Sequence, residues 1–466
     1  MESINVEKER VRLLNDKPVS ETGKYVLYWM QQSQRADYNH ALEYAALKAN
    51  QLELPLVVVF GLMDNYPEAN VRHYYFMLEG LRDTQQLLAA RGIKLIVKKG
   101  VPYEVAQALS EDAALVFCDR GYLRHQRIWR IKLADNVSCR VVQVESDVVV
   151  PVEVTSSKAE YAARTIRRKI WMHAPLFIVP SGTVVLNHSS LSLQFPDVIS
   201  LENIDALVAS LKLDVSVGKV DRFFKGGPTE ARKRLRDFIS NKLSYYVINR
   251  NHSYRDDISY MSMYLHFGQI SPLEILLEIQ KNITARESVE AYVEELLVRR
   301  ELSINFVYYT PDYDQYSTLP EWARTTLAQH VLDKRPHRYT LKQLEASVTH
   351  DPYWNAAMDE MKVTGFMHNY MRMYWGKKIL EWSATPEKAY NNLIYLNNKY
   401  FLDGRDPVSY ANVGWIFGLH DRPWGERSIY GTVRTMVASG LERKTNPRAY
   451  VEKVALLKEL AQKKED

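Results

Sequence analysis

The chain has 466 residues, 61 Lys and Arg against 56 Asp and Glu for a net charge of +5, and two cysteines, Cys118 and Cys139. Two cysteines exclude a disulfide scaffold and any four-cysteine zinc or iron–sulfur site. The length predicts two or three domains, and the mild basic excess permits nucleic-acid binding without proving it.

The first 150 residues alternate apolar runs with helical patterns. The runs are Tyr25–Met30, Leu56–Phe60, Lys94–Val97, Ala114–Cys118 and Val141–Val144. They are Val-rich and do not alternate, as expected of parallel strands buried on both faces. Helical patterns cover Tyr38–Leu52, Val71–Arg91, Pro102–Glu111 and Arg124–Leu133. Repeated strand–helix units predict a Rossmann-like, doubly wound α/β domain over residues 1–155. Residues 156–227 read as a connector punctuated by Pro175, Pro180, Gly182 and Pro196, with a DNA-facing helix expected around Arg164, Arg167, Arg168 and Lys169. From 228 to 466 the pattern is all-α. Helices are expected over Thr229–Lys242, Ser271–Thr284, Arg286–Phe306, Leu341–Ala346, Tyr353–Gly365, Tyr370–Trp382, Pro386–Phe401, Val408–Gly418 and Pro447–Lys463. No apolar run reaches about 18 residues and no signal peptide is visible, so no membrane span is expected, and an intracellular location is.

Familiar chemical signatures are missing. The chain has no G-x-x-x-x-G-K-[ST], no G-x-G-x-x-G and no H-E-x-x-H, and no His/Cys spacing suited to zinc. No metal site is expected. Other residues stand out. Trp375 and Trp382 are seven apart in one apparent helix, about 10.5 Å along its axis. Trp354, in the preceding helix, falls between them. Three indoles so spaced either pack a core or pass an electron. Arg372 lies on the Trp375 face and needs an acidic partner if buried. Asp403 and Asp406 flank Gly404-Arg405. Ser259 and Ser262 bracket a helix start able to hold a pyrophosphate, or merely to cap. Glu294 and Glu295 form a charged pair on a helix, ordinarily a solvated face, although the neighbouring Leu296, Leu297 and Leu302 suggest that one Glu points inward. Residues 219–250 hold nine Lys/Arg against three Asp/Glu. With Arg443 and Lys444, they suit phosphate contacts.

Longer stretches carry a resemblance. They include Tyr264-Leu265-His266-Phe267-Gly268-Gln269-Ile270-Ser271, Glu294-Glu295-Leu296-Leu297-Val298-Arg299-Arg300-Glu301-Leu302 and Thr349-His350-Asp351-Pro352-Tyr353-Trp354-Asn355-Ala356. The densest is Arg372-Met373-Tyr374-Trp375-Gly376-Lys377-Lys378-Ile379-Leu380-Glu381-Trp382, followed by Leu396-Asn397-Asn398-Lys399-Tyr400 and Leu402-Asp403-Gly404-Arg405-Asp406-Pro407. From about Tyr25 to Lys444 the chain resembles the photolyase/cryptochrome family, specifically class II cyclobutane pyrimidine dimer photolyases. The resemblance implies an antenna domain, a linker and a helical domain holding FAD. It implies repair of dimers in DNA by an electron from light-excited, reduced anionic FAD, acting on a dimer flipped out of the helix. The expected partner is therefore DNA, with no membrane and no obligate protein partner; a monomer is expected, associated with nucleoid or nucleus through DNA.

Carried over residue by residue, Tyr246 and Arg250 border the flavin, and Ser259, Tyr260, Met261 and Ser262 hold its phosphates. Arg300 and Asn305 approach it from the long helix. Arg372 and Asp403, with Gly404, form an ion pair beside the ring, and Asn397 faces N5. Glu295 hydrogen-bonds the dimer. Trp415, Arg299 and Met373 line the lesion pocket. Trp375, Trp354 and Trp382 form a photoreduction relay, with Tyr339 as outer donor. Trp424 and Arg434 belong to a hairpin filling the DNA gap, and Arg443 and Lys444 meet phosphates. An antenna chromophore, a deazaflavin or a folate, is expected in the N-terminal domain. The sequence departs from the family pattern at Met263, with an effect confined to the local turn, and at the shorter Phe417-Gly418-Leu419-His420 turn and Leu441-Glu442-Arg443-Lys444, which bear on the hairpin and not on the flavin site. The alternative is a cryptochrome-like flavin photoreceptor without repair; a long C-terminal tail would favour it, and 22 residues follow Lys444. A nucleotide enzyme using the α/β domain alone is disfavoured by the missing phosphate loops.

Overall fold

In the N-terminal half, strands β1 (Val11–Leu13), β2 (Tyr25–Trp29), β3 (Leu56–Leu62), β4 (Lys94–Lys99), β5 (Ala113–Asp119) and β6 (Arg140–Val144) form one sheet in the order β1-β6-β5-β2-β3-β4. The computed structural model describes residues 6–463. All neighbours pair in parallel except β1, which lies antiparallel on β6. Every residue of β2, β3 and β5 is buried. Along β2, Val26 and Tyr28 enter one apolar cluster while Tyr25, Leu27 and Trp29 enter another. Each face is covered by helices, which is why these strands read as continuous apolar runs. β1 escapes sequence reading because it is three residues long and half open, with Leu13 exposed.

The connector contains a helix, Ala163–Phe177, whose Ala163, Ile166, Ile170, Ala174 and Phe177 are buried at helical spacing. Its loop portions strap the far edge of the sheet, where the Ile199 amide donates to the Val97 carbonyl at 2.8 Å.

The C-terminal half is helical, as expected, with local departures. The helix expected over Arg286–Phe306 continues to Tyr309 but widens into a π-turn at Glu294–Arg299. The helix starting at Pro228 does the same at Phe238–Lys242. Such turns re-aim side chains and cluster at functional sites. The helix Glu321–Gln329 was not expected. Gly365 ends the helix Pro352–Thr364 at φ 76°, a conformation in which a Cβ would lie 2.9 Å from Leu402 Cγ.

Buried polar groups join the two halves. Arg35 donates to Asp147 at 2.7 Å and to the Gly268 carbonyl at 3.0 Å. Arg72 donates to the carbonyls of Met361 at 3.0 Å and Tyr400 at 2.7 Å. Glu301 accepts from the amides of Val149 at 2.6 Å and Val150 at 3.3 Å, and burial pushes its carboxyl up to about 8.

Candidate functional site

The helices Asn369–Trp382 and Pro386–Tyr400 and the turn after the second carry the central group. Arg372 forks onto Asp403, Nη1 to Oδ1 and Nη2 to Oδ2, both at 3.0 Å. Its Nε donates to the Met367 carbonyl at 2.9 Å, and its guanidinium lies 3.9 Å from the Phe401 ring centre. Arg is suited to this bidentate, stacked geometry, and Lys is not. Gly404 lets the turn fold tightly onto the helix end, since a Cβ there would sit 2.9 Å from the Asn397 carbonyl oxygen. That approach brings Asp403 and Asn397 to one site.

A chain of amides fixes Asn397. Glu68 accepts from Asn398 Nδ2 at 2.7 Å, so Asn398 turns Oδ1 the other way. That oxygen accepts from the Arg405 amide at 2.9 Å and from Asn397 Nδ2 at 3.0 Å. Asn397 therefore presents Oδ1, an acceptor, on its free side.

On the loop side, Arg250 donates to Glu295 Oε1 at 2.7 Å, and its guanidinium lies 5.5 Å from the Tyr246 ring centre. The π-turn presents Glu295 here and Glu294 to Arg167. Tyr246 packs between Phe238 and Tyr292. Ser259 accepts from the Tyr292 hydroxyl at 2.8 Å. Tyr260, at φ 57°, packs on Phe366 and donates to Asp256. Met261 is buried and Ser262 exposed at the start of the short helix Ser262–His266.

Two expected cofactor residues are engaged elsewhere. Asn305 accepts from the Glu160 amide at 2.7 Å and donates to the Lys158 carbonyl at 3.0 Å, so its side chain holds the connector. Arg300 donates to the Asp147 carbonyl at 2.6 Å, across the joint between the halves. The basic stretch 219–250 is largely paired internally as well. Arg232 bridges Asp37 and Glu274, Lys219 meets Asp221, and Lys242 meets Asp237 and Asp256. Counting charges could not show these acidic partners, which come mostly from elsewhere in the chain.

Trp354, Trp382 and Tyr339 form a run of ring contacts, with Trp375 beside Trp354 through its backbone. Trp354 Nε1 donates to the Trp375 carbonyl at 3.0 Å, and its ring centre lies 5.5 Å from that of Trp382. Tyr339 follows at 5.2 Å from Trp382. Trp354 therefore touches the Trp375 backbone on one side and the Trp382 ring on the other, and Trp382 meets Tyr339. All three indoles are also core residues, so the packing and relay readings are not exclusive.

A second aromatic group lies by the helix Pro407–Ile416. Arg434 sits 5.6 Å from the Trp415 ring and 4.9 Å from the Trp424 ring, and Arg422 is 5.3 Å from Trp424. Trp424 pairs its amide with the Thr432 carbonyl at 2.8 Å, and Arg427 pairs with Gly431, forming a hairpin-like turn. Sequence reading missed Lys377. It is fully buried, donates to the Ile416 carbonyl at 2.5 Å and lies 5.2 Å from the Trp415 ring; burial lowers its ammonium to about 7. Met373 is half-buried against the same core, and Arg299 pairs with Glu294 at 3.1 Å. Arg443 and Lys444 are exposed at the end of the helix Ala438–Lys444.

A separate cleft opens between the sheet and the helical half. Gln31, Gln32, Tyr66, Trp129, Phe267 and Arg405 are among the residues lining it. Among the described residues no cluster suited to a metal ion occurs, and no helix is long and apolar enough to cross a membrane.

Comparison with known proteins fits this geometry. The DNA photolyase family model matches residues 26–178. A deoxyribodipyrimidine photo-lyase from Methanothermobacter thermautotrophicus is 47% identical over 449 residues, covering 96% of this chain and 98% of that one. Two solved structures share the fold. A class III photolyase from Agrobacterium tumefaciens has a TM-score of 0.71 at 18% identity, over 95% of this chain and 90% of that one. An archaeal photolyase from Sulfolobus tokodaii with two FAD molecules has a TM-score of 0.67 at 15% identity, over 92% and 89%.

Proposed function

Because the chain belongs to the DNA photolyase family, we propose that it is a deoxyribodipyrimidine photo-lyase that repairs cyclobutane pyrimidine dimers in DNA under light. FAD, bound and fully reduced, supplies the light-driven electron that splits the cyclobutane ring and that returns afterwards.

The residues at the central group fit such a cofactor. Ser253 Oγ and His252 Nδ1, in the loop after Arg250, are buried and have no partner among the described residues, as befits groups that a polar ligand would satisfy. Arg372 holds a fixed positive charge beside the ring position, and Asp403 keeps it from moving. Asn397 offers Oδ1 to an N–H donor, which is what a reduced flavin carries at N5. Tyr246 and the 259–262 segment would close the other side and the phosphates. The observation that carries this reading is the Arg372–Asp403 fork set against a carboxamide locked as an acceptor.

Glu295, steadied by Arg250, would contact the dimer. Trp415 would flank it, with Arg299 and Met373 near the same opening. Trp424 and Arg434 would occupy the gap left in the duplex, where an aromatic face can stack on a base and a guanidinium can meet phosphate. The relay Trp375–Trp354–Trp382 would carry electrons inward to restore the reduced state. The cleft at Trp129 and Tyr66 would take a flat antenna chromophore, and the protein would act on DNA without a protein partner. The test is reconstitution with FAD. One flavin per chain is expected, with the visible spectrum of a bound flavin; no bound flavin would overturn the reading.

A further inference from the structure

We propose that His350 is the proton acceptor for Tyr339 when the outer end of the relay is oxidised, so that the last electron step is coupled to a proton. The proposal rests on the relay reading above.

The geometry is specific. Tyr339 Oη accepts from the His350 backbone amide at 2.9 Å. Among the described residues the phenol has one other partner, His350 Nδ1 at 2.7 Å. With the neutral imidazole protonated at Nε2, Nδ1 is the acceptor of the phenol O–H. The two rings lie nearly parallel, at 14°. Both meet the same indole edge-on, Tyr339 at 5.2 Å and His350 at 5.4 Å from the Trp382 ring centre. Trp382 itself is 2% exposed, whereas His350 is exposed, so a proton taken there can pass to water.

The surroundings keep the imidazole an acceptor. His337 stacks on it with ring centres 3.6 Å apart. Asp351, Lys378 and Glu381 also face it. Asp351 is occupied by the amides of Tyr353 and Trp354 and by the Tyr374 hydroxyl, and Lys378 is paired with Glu381 at 2.8 Å. Partial desolvation on the ring face that His337 and Trp382 cover, and then the His337 charge, hold the His350 imidazolium below the ordinary histidine range although its other edge is open to water, so the neutral form is present at neutral pH.

The oxidant is the Trp382 radical cation, formed once the relay has passed an electron inward to a light-excited, oxidised flavin. Trp382 takes one electron from Tyr339 and becomes neutral. The Oη–H bond of Tyr339 breaks, an N–H bond forms at His350 Nδ1, and the products are a neutral tyrosyl radical and an imidazolium. An uncoupled step would leave a phenol radical cation, a far stronger acid than imidazolium. Moving the proton along a preformed hydrogen bond removes that barrier and opposes electron return to Trp382.

The test is flash photolysis of the oxidised holoprotein in H₂O and D₂O, following the tryptophan and tyrosyl radicals. The expected result is a tyrosyl radical whose formation slows in D₂O and towards acidic pH, as His350 becomes protonated. His350→Gln is expected to slow it about tenfold or more while Trp382 still oxidises, and Tyr339→Phe to abolish it and lengthen the life of the tryptophan radical. An unchanged rate in His350→Gln, or no isotope effect with Trp382 oxidised, would overturn the proposal alone. No tryptophan radical in the wild type would overturn the relay and the proposal with it. A readout independent of light is ¹⁵N NMR of labelled histidines. Loss of the phenol donor in Tyr339→Phe is expected to raise the pH at which His350 titrates, and an unmoved titration would contradict the hydrogen bond.

Discussion

Asn398 decides which atom Asn397 presents. Its Oδ1 accepts from Asn397 Nδ2 at 3.0 Å because its own Nδ2 is taken by Glu68 at 2.7 Å. A carboxylate from the N-terminal half thus sets the polarity of a carboxamide in the helical half. Without this chain either end of Asn397 could face the flavin. Asn398→Ala is expected to leave flavin bound but to weaken the reduced state, read as faster reoxidation in air after reduction. Reoxidation at the wild-type rate would remove Asn398 from this role.

The Arg372–Asp403 fork is mostly withdrawn from water, with side-chain exposures of 15% and 10%. Removing one member of a buried pair costs about 3–5 kcal/mol, because the other charge is left uncompensated. The residual exposure sets Asp403→Ala at the lower end of that range. The expected outcome is a lower unfolding midpoint together with a lower flavin-to-protein ratio. Full flavin content at an unchanged midpoint would contradict the assigned geometry.

Trp375 begins the aromatic path, and its carbonyl holds Trp354 in place. The Trp375→Phe backbone still offers that carbonyl, so the change removes a redox-active ring while leaving the hydrogen bond. Photoreduction of oxidised flavin is expected to fall about tenfold or more relative to the repair rate of chemically reduced protein. An unchanged ratio would take Trp375 out of the relay.

Lys377 gives a pH signature. Its ammonium titrates at about 7 in the folded protein against an ordinary value of 10.5. Between these values the unfolded chain binds the extra proton, so folding is favoured as pH rises through that window and the contribution is lost as pH falls back towards 7. Lys377→Met removes the titrating group and keeps an unbranched apolar side chain in the buried space. Chemical unfolding is expected to show a flatter pH dependence over this window in the variant. An equally steep dependence would place its origin elsewhere.

How far the sequence could be read depends on what each signal encodes. The five parallel strands were legible because burial on both faces leaves unbroken Val-rich runs. β1 was not, since three half-open residues carry no pattern. The helix through Glu294–Arg299 was legible but its π-turn was not, because one inserted residue hardly disturbs an apolar stripe. Arg372, Asp403 and Asn397 came from long motifs, and the structure brings them together. Asn305 came from the same reading, yet it faces the connector; a buried Asn on a helix looks the same whichever neighbour it serves. The 219–250 charges looked available because several of their partners, Asp37, Glu274 and Asp256, lie outside that stretch. Lys377 lies inside the densest of those stretches but was given no role, as a lysine in a helix reads as surface until its burial is known.

The central claim is that this chain converts light into dimer repair at the site formed by Arg372, Asn397 and Glu295. The direct measurement is recovery of thymine absorbance when the reduced, FAD-loaded protein is illuminated with dimer-containing oligothymidylate, in the wild type and in Glu295→Ala. The account predicts light-dependent recovery that is absent in the dark, and a repair yield that falls further in Glu295→Ala than its flavin content does. Flavin-loaded protein that restores no thymine absorbance under light, or a Glu295→Ala variant with wild-type yield, would contradict it.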